Sequence, residues 1–276
     1  MNALERIENK LSGDYKNKRH LEEAADGVYM AAMRTGADID ALLNDIDAGT
    51  AFDWEGFFSA ERGNIADFTK YAKVMDRLVN ITAGGNGGMA SLGRGEFAIA
   101  FMSNFEIKIS TSGKGDLEYK AVEMFEEVKH NGGKVAVAKK AGSEITRTMK
   151  RLLDDAGVEL KTKDFIPFRA TNTKSYTTEE INVLNGYYLA AITDADFAGA
   201  IGDEELTRTF ITMAMEKSFA VSDTLLVMNT ENDFVRFTDV ETAVEYYVEA
   251  AKTRNGMFEI RAAQANPVAL YTKYYG

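Results

Sequence analysis

The chain has 276 residues, 45% of them hydrophobic and 27% charged, which suits one large globular domain or a core with an accessory lobe. It contains no cysteine, so disulfides, thiolate zinc sites and cysteine nucleophiles are excluded, and any metal must rest on oxygen ligands or on the two histidines. A formal net charge of −11 excludes a protein that coats nucleic acid over its whole surface, because neutralising phosphates takes clustered Lys and Arg.

No stretch approaches the roughly 18 to 20 uninterrupted apolar residues of a membrane span. The N-terminal run MNALERIENKL is amphipathic and lacks the apolar centre of a signal peptide. The expectation is a soluble chain that is not exported, with no membrane partner.

In chain order, residues 1–80 read as mostly helical. One helix is expected over about 16–34, ending at Gly36. A second is expected from the spacing of Ile65, Phe68, Ala72, Met75 and Val79, with Asn64 as its N-cap. Between them, Phe52, Trp54, Phe57 and Phe58 are expected to anchor the helices as core. The run ITAGGNGGMASLGRG then carries six glycines between 84 and 95, a flexible connection and the clearest break in the chain. It lacks the GK[ST] ending of a phosphate loop. The expected division is therefore an N-terminal helical accessory segment, 1–83, and an α/β domain, 84–276.

After the break, GEFAIAFMSNF suits a short helix, while GDLEY and KAVEMFEEVKH suit the two strands of a hairpin. GGKVAVAKK reads as another strand. Ser143 is expected to cap a helix carrying Ile145, Met149, Leu152 and Leu153, closed by Gly157. Thr177 and Glu180 have capping-box spacing ahead of Ile181, Leu184 and Tyr188, and a further helix is expected over about 203–217. DTLLVMNT and DFVRFT read as strands, Asp239 opens a helix with Val240, Val244, Tyr247 and Val248, and final strands are expected near GMFEIRAA and VALYTK. The pattern as a whole is mixed α/β (α+β).

Charge is unevenly distributed. Residues 81–165 carry 13 basic and 12 acidic side chains, the least acidic third of the chain. Within it, residues 129–151 hold Lys129, Lys134, Lys139, Lys140, Arg147, Lys150 and Arg151 against Glu144 alone, a basic strip suited to phosphates.

The chemistry is expected at Asp116, Glu127 and Lys129. On a strand, positions i and i+2 point to one face, so Glu127 and Lys129 project together while Val128 packs inward. If 117–119 pairs with that strand, Asp116 lies at the start of its neighbour. Two carboxylates there can share one or two divalent cations that polarise a phosphate and activate water, with the lysine orienting the water or offsetting charge. Glu96, in GRGEF at a helix start, can complete the set from a third side, or be no more than a favourable helix-start acid. Neither His20 nor His130 has metal-binding spacing, and no motif supports Ser/His/Asp catalysis.

The order GRGE, short apolar helix, GKGDL, then EVK followed by a glycine pair and a basic residue resembles the PD-(D/E)xK nuclease superfamily. More narrowly it resembles a set of tailed-bacteriophage proteins with GxGE…GDL…EVKxxGG spacing, over about residues 93–140. The resemblance implies a restriction-endonuclease-like mixed central sheet flanked by helices. It makes Glu96 the helix carboxylate, Asp116 and Glu127 metal ligands together with the Val128 carbonyl, and Lys129 the catalytic lysine. The implied cofactor is Mg2+ or Mn2+, and the implied activity is phosphodiester hydrolysis in DNA. Gly115 stands where the superfamily's name has proline, and only Glu127 of the Glu126–Glu127 doublet satisfies the ExK spacing. A structural virion protein of head, neck or tail, contacting other virion proteins, is the second expectation, and a restriction endonuclease a weaker third.

Overall fold

The computed structural model describes residues 2–13, 18–81, 95–110, 112–130, 134–136, 141–229, 231–254 and 259–262. In chain order these form α1 (Ala3–Leu11), α2 (Lys18–Thr35), α3 (Ile39–Asp47), α4 (Trp54–Ser59), β1 (Arg62–Asn64), a 3-10 turn (Ile65–Phe68), α5 (Ala72–Leu78) and α6 (Glu96–Met102). Next come β2 (Ile107–Ile109), β3 (Leu117–Tyr119), β4 (Met124–His130), β5 (Lys134–Ala136), α7 (Gly142–Asp155), α8 (Ala170–Ser175), α9 (Thr178–Thr193) and α10 (Asp203–Phe219). The last described elements are β6 (Thr224–Met228), β7 (Asp233–Phe237), α11 (Val240–Ala250), β8 (Ala251–Arg254) and β9 (Glu259–Ala262). The chain is mixed α/β and divides into two compact units, one from described residues of 2–130 and Phe219–Thr238, the other from 134–218 and 239–262.

The first unit holds a six-stranded mixed sheet ordered β1-β7-β6-β4-β3-β2. Strands β2, β3 and β4 run antiparallel in sequence, β4 pairs with β6 in parallel, and β6, β7 and β1 are again antiparallel. The central strand β6 reads Thr-Leu-Leu-Val-Met without alternation because all five residues are buried. The expected hairpin is present as β3 and β4, with Leu117 opposite Glu126 and Tyr119 opposite Met124.

One face of the sheet carries Leu117, Tyr119, Val128, Leu226, Met228 and Phe234 into a core shared with Ile7, Leu11, Val28, Leu42, Ile46, Phe57, Met75, Phe97 and Phe101. The aromatic run at 52–58 is part of this core. Phe57 is fully buried and meets Phe68 and Phe234 edge to face, with ring centroids 5.6 and 5.0 Å apart. The division expected near residue 84 therefore falls inside one unit. The N-terminal segment shares its core with the sheet and supplies an edge strand, β1.

Helix α2 ends where expected, at Gly36, whose φ of +70° suits a residue without a Cβ. The single helix expected over 65–79 is two elements. Asn64 does cap the first, accepting from the Ala66 N–H, but Thr69 is extended and its hydroxyl accepts the Tyr71 N–H, so the helical path breaks there.

In the second unit α7 packs on α9 and buries Ile145, Met149 and Leu153, and Tyr188 meets Phe210 edge-on with ring centroids 6.3 Å apart. Gly157, φ +69°, follows α7 as expected. Ser143 is not its cap: the helix begins at Gly142, one residue earlier, with Ala141 in the cap position and no side-chain bond. The Thr177–Glu180 capping box has both of its bonds, at 3.3 and 2.8 Å. Asp239 accepts from the Thr242 N–H at the start of α11. A three-stranded antiparallel sheet, β5-β9-β8, completes the unit, with β8 unforeseen in the sequence. The strand expected near VALYTK lies outside the described residues, as does the glycine run before Gly95. Among the described residues, no helix is long and apolar enough to cross a membrane.

Candidate functional site

The hairpin pairing sets Asp116 beside β4. Its N–H donates to the Glu126 carbonyl (2.8 Å), and its Oδ2 accepts the Val128 N–H (2.8 Å), so backbone and side chain are both tied to the neighbouring strand. What permits the approach is Gly115. Its φ is +52°, and a Cβ there would lie 2.9 Å from the Glu126 carbonyl oxygen and 3.1 Å from that residue's carbonyl carbon and nitrogen. A proline, with φ locked at about −65°, has no place in this turn. Gly115→Ala must strain the backbone or push it off β4. We expect it to cost about 1–3 kcal/mol, the range for a residue held in a disfavoured backbone region, measured as a lowered thermal midpoint.

Along β4 the alternation assigns the two acids to opposite faces. Glu127 and Lys129 share one face with Asp116, with side chains 19%, 16% and 30% exposed. Lys129 Nζ donates to Glu127 Oε1, lies 3.5 Å from Asp116 Oδ2 and contacts the Val128 carbonyl at 3.3 Å. Burial acts to discharge this lysine, but the negative charges of Asp116 and Glu127, with a smaller contribution from Glu96, prevail and hold its pKa above the ordinary lysine value. At neutral pH Lys129 is a cation and not a base.

Glu96 is the first residue of α6. Gly95, φ +91°, precedes it with its Cβ position 3.0 Å from Met228 Sδ, at the end of β6. Glu96 is 7% exposed, which sets it apart from a solvated helix-start acid, and its charge reaches Lys129.

Glu126 faces the core and is fully buried. Arg236, on β7 and 5% exposed, donates Nε to Glu126 Oε1 (2.6 Å) and Nη2 to Oε2 (3.3 Å). Its Nη1 donates to the carbonyls of Phe57, Phe58 and Ala60. Tyr119 Oη and Thr224 Oγ1 donate to Glu126 at 2.6 and 2.9 Å, and the guanidinium lies over the Phe57 ring. Glu126 is thus committed to the interior and Glu127 to the candidate site. Arg236 was not anticipated. Its signal was a charged residue in the apolar strand DFVRF, at a position whose neighbours all turn inward.

Burial, then the adjacent Glu126 charge, raises the Tyr119 pKa well above the free value of 10.0. Burial also raises Tyr188 and Tyr246, and burial with Asp45 pushes Tyr71 up to about 12. Each folded value exceeds its unfolded one, so the associated stability is complete below the unfolded pKa and is lost as pH rises through the folded value. Stability should therefore begin to fall once pH passes about 10. Tyrosinate absorbance should show a late group of tyrosines that ionises together with loss of near-ultraviolet circular dichroism. Simple titration of all tyrosines near their free value would contradict this.

Of the sequence-derived site, Asp116, Glu127, Lys129 and the Val128 carbonyl are in contact, with Glu96 in electrostatic reach. Beyond Lys129, the basic strip belongs to the second unit. Arg147, Lys150 and Arg151 are exposed on the face of α7 opposite its buried residues, Arg151 beside Asp155 at 3.7 Å. Lys134 opens β5, and Lys139 and Lys140 lie outside the described residues. His130 ends β4, half-buried.

Among the described residues no three Asp, Glu or His side chains are grouped to hold a metal ion. What converges is two carboxylates and one carbonyl around an ammonium. Those donors are hard oxygens, which fit Mg2+ or Mn2+ in chemistry, and they already meet at one positive centre. Comparison of the chain with protein-family models, curated proteins and solved structures finds no match.

Proposed function

We propose that this chain is a metal-dependent DNA nuclease of the PD-(D/E)xK type, phage-encoded, on a restriction-endonuclease-like domain. The single observation that carries the reading is the convergence of Asp116, Glu127 and the Val128 carbonyl on Lys129, in the order and spacing that underlie the resemblance. Asp116, Glu127, the Val128 carbonyl and Glu96 would hold Mg2+ or Mn2+, which when bound supplies Lewis acidity toward a phosphodiester and a more acidic water. The protein's own residues do the rest. The bond from the Val128 N–H fixes the Asp116 carboxylate, the strand fixes Glu127 and Lys129 on one face, and the ammonium offsets charge that builds on the phosphate. Lys134, Arg147, Lys150 and Arg151 are the candidate contacts to the DNA backbone, with Lys139 and Lys140 from the same strip.

Plasmid cleavage with Mg2+ or Mn2+, comparing the wild type with Asp116→Ala and Lys129→Ala, tests the proposal. Wild-type cutting lost in both variants is the expected result. Equal cutting by all three sinks the nuclease reading. A stoichiometric copy number in purified phage particles would then support an architectural role in the virion, in keeping with the net charge of −11.

A further inference from the structure

Arg236 and Lys129, two cations on strands of the first unit, are held differently. Arg236 spreads its N–H groups over Glu126, Tyr119 and the carbonyls of Phe57, Phe58 and Ala60, with its side chain 4% exposed. Every direction of its fork is used, and nothing can replace it without leaving several acceptors stranded. Lys129 instead brings a single atom to the oxygens of Glu127, Asp116 and Val128, and all three side chains of this cluster keep contact with solvent. A lysine is a point charge on a flexible stem, so it can leave such a cluster by rotation alone.

The oxygens it touches are those the nuclease reading assigns to a divalent cation, and the role inferred for Lys129 rests on that reading. A cation drawing on the same oxygens would stand within a few ångströms of the ammonium, where like charges repel strongly outside bulk water. We infer that Lys129 is an internal counter-cation that a divalent ion must displace from Asp116, Glu127 and the Val128 carbonyl, so that this lysine lowers the metal affinity of the site. The role is separate from charge compensation during hydrolysis. It predicts opposite signs for two measurements on one substitution: removing the lysine weakens cleavage and tightens metal binding.

The test is Mn2+ binding to the full chain by calorimetry or by the electron paramagnetic resonance of free Mn2+, on wild type, Lys129→Met and Asp116→Ala. Lys129→Met should bind Mn2+ at least about fivefold more tightly than wild type, the lower end of coupling between two ligands. Asp116→Ala should bind more weakly than wild type. Equal or weaker binding by Lys129→Met overturns the inference, and leaves the nuclease reading standing where the wild type still cuts plasmid. Absence of both Mn2+ binding and cutting in the wild type overturns the two together. Should circular dichroism show Lys129→Met unfolded, the wild type decides by itself. Acylation of Lys129 by acetic anhydride, read by mass spectrometry, should increase when Mn2+ is added, and unchanged or reduced labelling overturns the inference.

Discussion

Arg236→Met should lower the stability of the first unit by about 3–5 kcal/mol, the cost of breaking a buried ion pair from one side. The reason lies in the groups left behind. Glu126 has no exposure, and with the guanidinium gone its charge keeps only the Tyr119 and Thr224 hydroxyls, while the carbonyls of Phe57, Phe58 and Ala60 lose their common donor. An isolated buried carboxylate is expensive enough that protonation or local unfolding becomes the cheaper course. Against a total stability of about 5–15 kcal/mol, the loss consumes about a fifth or more of what holds a typical domain together. The urea midpoint should fall at nearly constant m-value. Glu126→Leu combined with Arg236→Met should recover much of the loss, because the double substitution leaves no unpaired charge. A single-variant shift below about 1 kcal/mol would show that the network contributes little.

The second large effect concerns activity. In Asp116→Ala the proposed metal loses a carboxylate and the Val128 N–H loses its acceptor. Lewis-acid stabilisation of a phosphodiester transition state is worth several kcal/mol, which at 1.36 kcal/mol per decade corresponds to about 10^2–10^4 in rate. The structural cost is smaller, about 1 kcal/mol for one hydrogen bond. Cleavage kinetics and the thermal midpoint should therefore separate, with a drop of only a few degrees in a variant that scarcely cuts. Cleavage within about tenfold of wild type would remove Asp116 from the proposed machinery.

The sequence made local features legible and distant ones opaque. The β3–β4 hairpin, the choice of Glu127 over Glu126, the end of α2 at Gly36 and the Thr177–Glu180 capping box all depend on residues a few positions apart, where period and cap chemistry act. The break at Thr69 depends on a hydroxyl that takes the Tyr71 N–H, a choice that apolar spacing does not record. Strand β1 is three residues long, too short for alternation to register, and exists because Asn64 and its neighbours pair with β7 far along the chain. The partner of Glu126 is 110 residues away. The acids and the lysine of the candidate site were readable as a motif, but that a lysine would sit on the Val128 carbonyl as well as on both carboxylates is a property of the folded hairpin.

The acidic doublet on β4 has a bearing on how the strand finds its alignment. A slip of one residue would still leave one acid on the face that holds Arg236 and the other on the opposite face, so the carboxylates do not distinguish correct from shifted pairing. Val128 and Lys129 do. The slipped strand would put an ammonium on the core face that already holds a guanidinium, and would move the valine to a partly exposed position. The lysine proposed for chemistry thereby also disfavours the one-residue misalignment that the repeated glutamate would otherwise disguise.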